Sequence, residues 1–291
     1  MKAKGDDFFR VGDYLSAMNA YSAALDVDET LVSCYSNRSV CYLNLSSPHD
    51  CKSDCTQAIE LIERGEKDGP SDSSLTKIKM KMLMRRGIAN CQQGLYKDAI
   101  SDYKSCLTTL QDNMERYFDI SAENLTSDID KLIKLEIADE LKKSADTKFS
   151  QNETADALLL YSKALQESPL HVGCLSNRAA CKIATRDFFG CIKDCSLALE
   201  IFDSDDILQR NTPIQSGNSE NLSMLTAILP MRGSDKRKSW YLKTLVRRGA
   251  AHFQAGNREE AIADYGKACS IDPTNGSLKT DLNNLRNSHS A

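Results

Sequence analysis

One spacing of small and aromatic residues recurs along this 291-residue chain. A small residue is followed after twelve positions by a second one, after four more by an aromatic or small residue, and after three more by another small one. This spacing describes a helical hairpin, since a small residue in the first helix lets the second cross it closely. The six occurrences are Gly5, Ala17, Tyr21, Ala24; Ser39, Cys51, Cys55, Ala58; Gly87, Ala99, Tyr103, Cys106; Ala145, Ala157, Tyr161, Ala164; Ala179, Cys191, Cys195, Ala198; and Gly249, Ala261, Tyr265, Ala268. We therefore predict an all-α fold of six hairpins.

The six predicted hairpins form two sets of three. The first two hairpins of each set align at an offset of 140 residues, whereas the third aligns at 162, so the second set has gained 22 residues. The gain lies near residues 203–238, where Ser, Asn, Asp and Gly predict a mobile loop. Its apolar piece, residues 222–231, is either a short docking helix or a weakly tethered helical turn. We predict two superhelical modules with capping helices, residues 1–126 and 127–291.

A helical segment connects the two predicted modules. Residues 127–149 have apolar residues at helical spacing, Ser127 as a candidate N-cap, and Asp130 in the first turn, where its charge favours the helix dipole. The segment contains neither Gly nor Pro. We predict a continuous linking helix of about 35 Å, with a break near residues 142–144 as the alternative.

Charge and cysteine usage narrow the function classes. The net charge of −4 argues against nucleic-acid or membrane-surface binding, and no apolar run or apolar N-terminal core predicts a membrane span or a secretory signal. None of the eleven cysteines lies in a CxxC pair, and the four histidines are scattered. We therefore predict no metal site and no cofactor. We also predict that the cysteines are buried free thiols in a reducing compartment, which makes the protein cytoplasmic. Without a catalytic constellation or phosphate loop, an enzyme is not expected.

The hairpin spacing resembles the tetratricopeptide repeat, a helix-turn-helix unit of about 34 residues. Pro169 and Pro273 follow the second helix in two of the predicted hairpins, where a proline ends a helix. Stacked hairpins of this kind curve so that their first helices line a concave groove. We therefore expect each module to present one groove.

Basic and amide residues recur on the side of the first helices that would face each groove. Residues four apart on a helix project to the same side. Each module places two Lys, one Arg and one Asn there: Lys2, Asn37, Lys81 and Arg85 in the first module, and Lys142, Asn177, Lys243 and Arg247 in the second. Together such donors form a receptor for carboxylates. The alternatives are a solvated helix face for the basic residues and, for each Asn, a structural bond between hairpins. Arg38 and Arg178 are predicted to form salt bridges between hairpins.

These positions match a motif of tetratricopeptide co-chaperones. Resemblance to that family implies a two-carboxylate clamp for the Glu-Glu-Val-Asp C-terminal tails of 70- and 90-kDa heat-shock proteins. The family places a second Asn directly after the small residue of the first helix, where this chain has Asp6 and Asp146. A like charge about 4 Å from a bound carboxylate costs about 1 to 4 kcal/mol, unless the Asp pairs with a neighbouring Lys and turns away.

Two further segments resemble one co-chaperone family in particular. "LMRRGIANC" and "LVRRGAAHF", each preceded by a basic run, are similar to the C-terminal repeats of the dynein axonemal assembly factor 4 family. In that family a p23-like domain precedes the repeats, so we expect this chain to be part of a longer protein. The two-module layout also resembles the 34-kDa mitochondrial import co-chaperone.

The combined prediction is a non-enzymatic adaptor that docks heat-shock protein tails, with dynein-arm assembly factors as further partners. The alternative is a scaffold for non-chaperone peptides, in which Asp6 and Asp146 mark a lost specificity for the tails.

Overall fold

The computed structural model describes residues 1–65, 72–112, 121–211, 229–230 and 233–287. These residues form thirteen α-helices and no strand, which confirms the predicted all-α class. The helices are α1 Lys2–Arg10, α2 Tyr14–Leu25, α3 Val32–Asn44, α4 Pro48–Arg64, α5 Asp72–Gln92, α6 Tyr96–Asp112, α7 Ala122–Ser150, α8 Thr154–Glu167, α9 Val172–Ala184, α10 Phe188–Asn211, α11 Asp235–Gln254, α12 Arg258–Ile271 and α13 Gly276–Asn287.

Three-residue turns join the first twelve helices into six consecutive pairs. The middle residue of every such turn has a positive φ, between 58° and 84°: Gly12, Ser46, Gly94, Asn152, Arg186 and Gly256. This left-handed conformation is natural for glycine and disfavoured for most other residues. It is nevertheless kept at Arg186, so the tertiary packing of the pair outweighs the local preference there.

The small residues of the repeated spacing lie where two helices approach closely. A Cβ atom added to Gly5 would lie 2.6 Å from the Tyr21 ring, and one added to Gly249 would lie 2.9 Å from the Tyr265 ring. Both distances are shorter than a carbon–carbon contact, so a Cβ atom at either glycine would force the ring to shift. Ten of the eleven cysteines are buried, all are free thiols, and Cys269 is half-buried. The predicted use of cysteine as a small packing residue is confirmed.

One ion-pair network occurs in four of the helix pairs. An Arg of the first helix binds an Asp of the second at 2.6–2.8 Å: Arg38–Asp54, Arg86–Asp102, Arg178–Asp194 and Arg248–Asp264. Each guanidinium also donates to a hydroxyl of the preceding pair, on Ser22, Thr56, Ser162 and Ser196 respectively. The predicted salt bridges between hairpins are therefore wrong. The salt bridge lies within a hairpin because the spacing of 16 residues brings Arg and Asp face to face, and only the hydroxyl hydrogen bond crosses to the next hairpin.

The chain divides into two compact units. The first contains Met1–Ile133, and the second contains Lys134–Asn211 with the described residues from 229 onward. Helix α7 runs through the division without a break at residues 142–144, as predicted for the linking helix. It begins at Ala122, so Ser127 lies inside the helix and is not its N-cap. The predicted domain boundary at 126/127 stays a prediction.

The predicted loop at residues 203–238 is partly helical. Helix α10 extends to Asn211 and α11 begins at Asp235, so the loop prediction is wrong at both ends. The α11 start is set by Ser234, whose hydroxyl accepts a hydrogen bond from the Arg237 amide at 3.2 Å. The segment 222–231 lies outside the described residues except for Leu229 and Pro230. In the described part of the chain, no helix combines the length and apolar character needed to cross a bilayer.

Candidate functional site

In the first unit, three donors converge on one carboxylate. Lys2 Nζ lies 2.9 Å from Asp6 Oδ2, and the Tyr21 hydroxyl donates to Asp6 Oδ1 at 2.8 Å. Asn37 Nδ2 donates to the same Oδ1 atom at 3.0 Å. These four residues, which we call the first Asp-centred cluster, come from α1, α2 and α3. The cluster therefore joins two helix pairs.

The second unit repeats this arrangement. Lys142 Nζ lies 2.7 Å from Asp146 Oδ2, and Asn177 Nδ2 donates to Asp146 Oδ1 at 2.9 Å. The Tyr161 hydroxyl donates to that oxygen as well. We call these four residues the second Asp-centred cluster. Two copies with the same donors on the same oxygens show that this geometry follows from the repeated sequence.

Both Asp side chains are held in the ionised form. Burial opposes ionisation of Asp6, but hydrogen bonds from Lys2, Tyr21 and Asn37 outweigh it and lower its pKa. The same balance lowers the pKa of Asp146. Burial and the bond to the carboxylate raise the pKa of the Tyr21 hydroxyl, which therefore remains a hydrogen-bond donor at neutral pH.

The two predicted clamp arginines form hydrogen bonds to backbone carbonyl oxygens within the fold. Arg85 Nη1 donates to the Ser36 carbonyl oxygen at 2.6 Å, and Arg247 Nη1 donates to the Ser176 carbonyl oxygen at 2.7 Å. Burial lowers the pKa of both guanidinium groups. Arg247 also donates to Asn177 Oδ1 at 3.3 Å and so reaches the second Asp-centred cluster. Part of the donor capacity of each Arg is thus used within the fold.

The remaining predicted lysines lie one turn before these arginines. Lys243 is exposed and lines a cleft of about 260 Å³ together with Val246, Arg247 and Leu278. The cleft lies between α11 and α13, its wall is mostly apolar, and Lys243 and Arg247 are the two cations that line it. Lys81 is half-buried at the corresponding position of α5.

The structure brings one of the two predicted Lys, the Asn and the Asp of each module together, and it also supplies the reason for the Asp. The sequence left two alternatives for this Asp, repulsion of a bound carboxylate or pairing with the neighbouring lysine. In the structure the carboxylate pairs with the lysine. The carboxylate also accepts a hydrogen bond from the Asn amide. This bond between hairpins is the structural role that was the alternative for Asn37 and Asn177. The two tyrosines were assigned to packing alone, and their hydroxyl role was missed. A signal was present: of the four hairpins with Tyr in this slot, only these two have Asp after the first small residue.

The last of the six helix pairs matches a known repeat family. A sequence model of the tetratricopeptide repeat matches residues 242–275, which cover most of α11 and all of α12. Residues 242–275 are a tetratricopeptide repeat. The other five helix pairs share its three-residue turn with a positive φ. Their assignment as five further tetratricopeptide repeats stays a prediction.

Curated relatives confirm the predicted resemblance to tetratricopeptide co-chaperones. Dynein axonemal assembly factor 4 of Pongo pygmaeus is 32% identical over 125 residues, which are 43% of this chain and 28% of that protein. Hsp70-Hsp90 organizing protein 1 of Glycine max is 26% identical over 204 residues, 68% of this chain and 34% of that protein. The chain thus spans about a third or less of the length of these relatives.

Among solved structures, the first tetratricopeptide domain of Spaghetti (RPAP3) bound to the HSP90 peptide SRMEEVD is similar at 23% identity, with a TM-score of 0.38. That match covers 52% of this chain and 92% of that one. The complex of the TPR2AB domain of yeast Sti1 with an HSP90 peptide is similar at 19% identity, with a TM-score of 0.36, over 98% and 95% of the two chains.

Proposed function

We propose that this chain is a non-enzymatic adaptor co-chaperone whose two modules bind the acidic C-terminal tails of 70- and 90-kDa heat-shock proteins. The observation that supports this most directly is the convergence of Lys, Tyr and Asn donors on a single carboxylate in each unit. Donors placed to bind one carboxylate within the fold are also placed to bind one from a ligand, with charge-assisted hydrogen bonds.

An incoming peptide carboxylate competes with the resident Asp for these donors. Lys243 is exposed, and its ammonium provides a first contact for the peptide. The ligand then takes over Lys142 and Asn177 as Asp146 rotates away or accepts only the tyrosine. Binding by this exchange is weaker than binding to an open clamp because two hydrogen bonds must be broken first.

The relatives support both parts of the proposal. Organizing proteins of Hsp70 and Hsp90 match two thirds of the chain, and dynein axonemal assembly factor 4 matches less than half of it. We accordingly propose a cytoplasmic adaptor that serves the assembly of axonemal dynein arms. Two peptide-binding modules on one chain raise the effective concentration of a second tail, so that a chaperone dimer is held more tightly than either tail alone.

A scaffold for non-chaperone peptides is the second candidate. Occupation of both Asp-centred clusters by an internal carboxylate favours it, because a peptide without a terminal carboxylate does not need to displace Asp6 or Asp146. The two candidates differ in one respect that can be measured, namely whether the terminal carboxylate of the ligand contributes to binding.

Calorimetric titration of the whole chain tests the proposal. The probes are the acetylated peptide Met-Glu-Glu-Val-Asp and its C-terminal amide, each at low and at high salt. We expect the acid to bind more tightly than the amide and to weaken with salt, since the contacts are ionic. Lys243→Ala should weaken binding, whereas Lys163→Ala, which removes a charge that is also exposed, on α8, should not. Equal binding of acid and amide would favour the scaffold.

A further inference from the structure

A basic run at the start of α11 ends in a hydroxyl group. Residues 236–238 are Lys-Arg-Lys, and Ser239 follows them directly. No other Ser or Thr of the chain stands after three consecutive basic residues. Protein kinases select their substrates partly by such charge patterns. The sequence therefore marks Ser239 as a candidate phosphate acceptor.

Ser239 lies in a part of α11 that extends beyond the repeat. Helix α9 begins seven residues before its small residue, Ala179, whereas α11 begins fourteen residues before Gly249. The match to the tetratricopeptide repeat starts only at residue 242. Residues 235–241 thus add about two turns at the start of the helix. Helix ends open locally more readily than helix centres, so a kinase reaches Ser239 without unfolding the repeat.

The surroundings of Ser239 join the surface to the proposed peptide contact. The next residue, Trp240, packs on α9, since a Cβ atom added to Gly173 would lie 2.9 Å from the indole ring. Ser239 itself is half-buried. Lys236 and Lys243 are both exposed, and they lie three residues before Ser239 and four residues after it. The serine and the two lysines therefore share one side of the helix.

We propose that Ser239 is a phosphorylation site that regulates the second module. A protein kinase transfers the γ-phosphoryl group of ATP to Ser239 Oγ, the hydroxyl proton passes to a base of the kinase, and ADP leaves. The regulatory part rests on the peptide-binding function proposed above, whereas the modification itself does not.

A phosphate on Ser239 acts on the lysine that provides the first contact for the peptide. Phosphoserine carries a charge of about −1.5 to −2 at neutral pH. Lys243 lies one helical turn further on, within reach of the phosphate. Lys236 and the exposed Asp235 lie one turn before it, so two cations and one anion surround the phosphate. The Lys243 ammonium then pairs with the phosphate, and the added negative charge repels an acidic peptide.

The first unit lacks this regulation. Lys77 stands at an offset of 162 from Ser239, and Lys81 stands at the same offset from Lys243. A lysine at the position of the serine offers no hydroxyl for phosphoryl transfer. Phosphorylation therefore distinguishes the two modules, because it weakens the second and leaves the affinity of the first unchanged.

Mass spectrometry of the whole chain tests the site. The kinase is a basophilic one that uses ATP to phosphorylate the serine of an isolated peptide of residues 235–243. We expect it to phosphorylate Ser239 in the whole chain. Ser144→Ala is the matched control, since Ser144 is exposed on α7 and follows two lysines, and it should leave the phosphate on Ser239 unchanged. A peptide that no basophilic kinase modifies, or a whole chain left unmodified at Ser239, would overturn the site.

Phosphorus NMR tests the pairing with Lys243 without any peptide. The second pKa of phosphoserine is ordinarily near 6, and a neighbouring ammonium lowers it. We expect Lys243→Ala to raise this pKa in the phosphorylated chain. Lys163→Ala, which removes an exposed charge on α8, should leave it unchanged. Equal pKa values with and without the Lys243 ammonium contradict the pairing.

Calorimetric titration with acetylated Met-Glu-Glu-Val-Asp tests the regulation. The first module is weakened with Lys2→Ala so that the second is observed. Phosphorylation should then weaken binding about fivefold, less so at high salt and less so in a chain with Lys243→Ala. If the phosphorylated and unmodified chains bind equally, the regulation is wrong and the peptide-binding function stands. If neither binds at concentrations that saturate a known tetratricopeptide co-chaperone, the peptide-binding function and its regulation are both wrong.

Discussion

Replacing Asp6 by Asn tests whether the resident carboxylate competes with a peptide. Asn keeps an oxygen that can accept from Tyr21 and Asn37, and it removes the negative charge that holds Lys2 Nζ at 2.9 Å. The lysine is then available to a ligand. Asp146→Asn makes the same change beside Lys142 in the second unit.

The size of the effect follows from the charge and its exposure. Two like charges about 4 Å apart repel by about 1 kcal/mol in water and by about 4 kcal/mol near a protein surface. The Asp6 and Asp146 side chains are 30% and 39% exposed, so solvent screening places the effect near the lower value. We expect each substitution to tighten binding of an acidic peptide about fivefold. The lost ion pair should cost less than about 1 kcal/mol of folding stability.

The assay is calorimetric titration with acetylated Met-Glu-Glu-Val-Asp, together with thermal melting. Asp7→Asn is the matched control, since Asp7 is adjacent in sequence, 68% exposed and paired with Arg10. It removes the same charge without touching the cluster. The reasoning is refuted if Asp6→Asn binds the peptide no more tightly than Asp7→Asn does.

Two further predictions concern stability. Burial lowers the pKa of His171 to about 4, so the unfolded chain binds a proton that the folded chain does not between that value and the ordinary His pKa near 6.5. Stability should therefore fall by about 3 kcal/mol as pH decreases through this window, and His171→Leu, the residue of the first unit at Leu31, should abolish the slope in pH-dependent melting. Gly249→Ala should destabilise the second unit by about 1 to 3 kcal/mol, because the added Cβ atom pushes on the Tyr265 ring. Gly266→Ala has open space around the added atom and should stabilise the unit by up to about 1 kcal/mol. Equal melting temperatures for the two variants would contradict the packing argument.

Much of the fold was predictable because a hairpin depends on residues close in sequence. The spacing from Gly5 to Ala24 specified two crossing helices, and the helices lie where that spacing requires. The turns were less accessible, since Ser46 and Arg186 adopt a positive φ that their side chains disfavour. The C-terminal end of α10 was missed for a different reason: most residues at 203–211 are polar, and polar residues do not oppose a helix that has already begun.

The candidate site was predictable only in part of its membership, since Lys, Asn and Asp were predicted and the two tyrosines were missed. Residue types at helical spacing placed Lys, Asn and Asp on one side of the first helices, and repetition of the set in two modules separated it from an ordinary charged surface. The sequence alone also determined the all-α class, because helices depend on local periodicity. It determined the likeness of the two clusters as well, because the residues that form them recur at an offset of 140.

Only the tertiary structure decided which partners the charged side chains of the site have. Whether Asp6 repels a ligand or pairs with Lys2 depends on α2 and α3, which bring Tyr21 and Asn37 to its carboxylate from 15 and 31 residues away. The contact of Trp240 with Gly173 likewise joins two helices 67 positions apart. Such contacts arise from packing between helices that are far apart in sequence, so the local pattern of residues does not determine them.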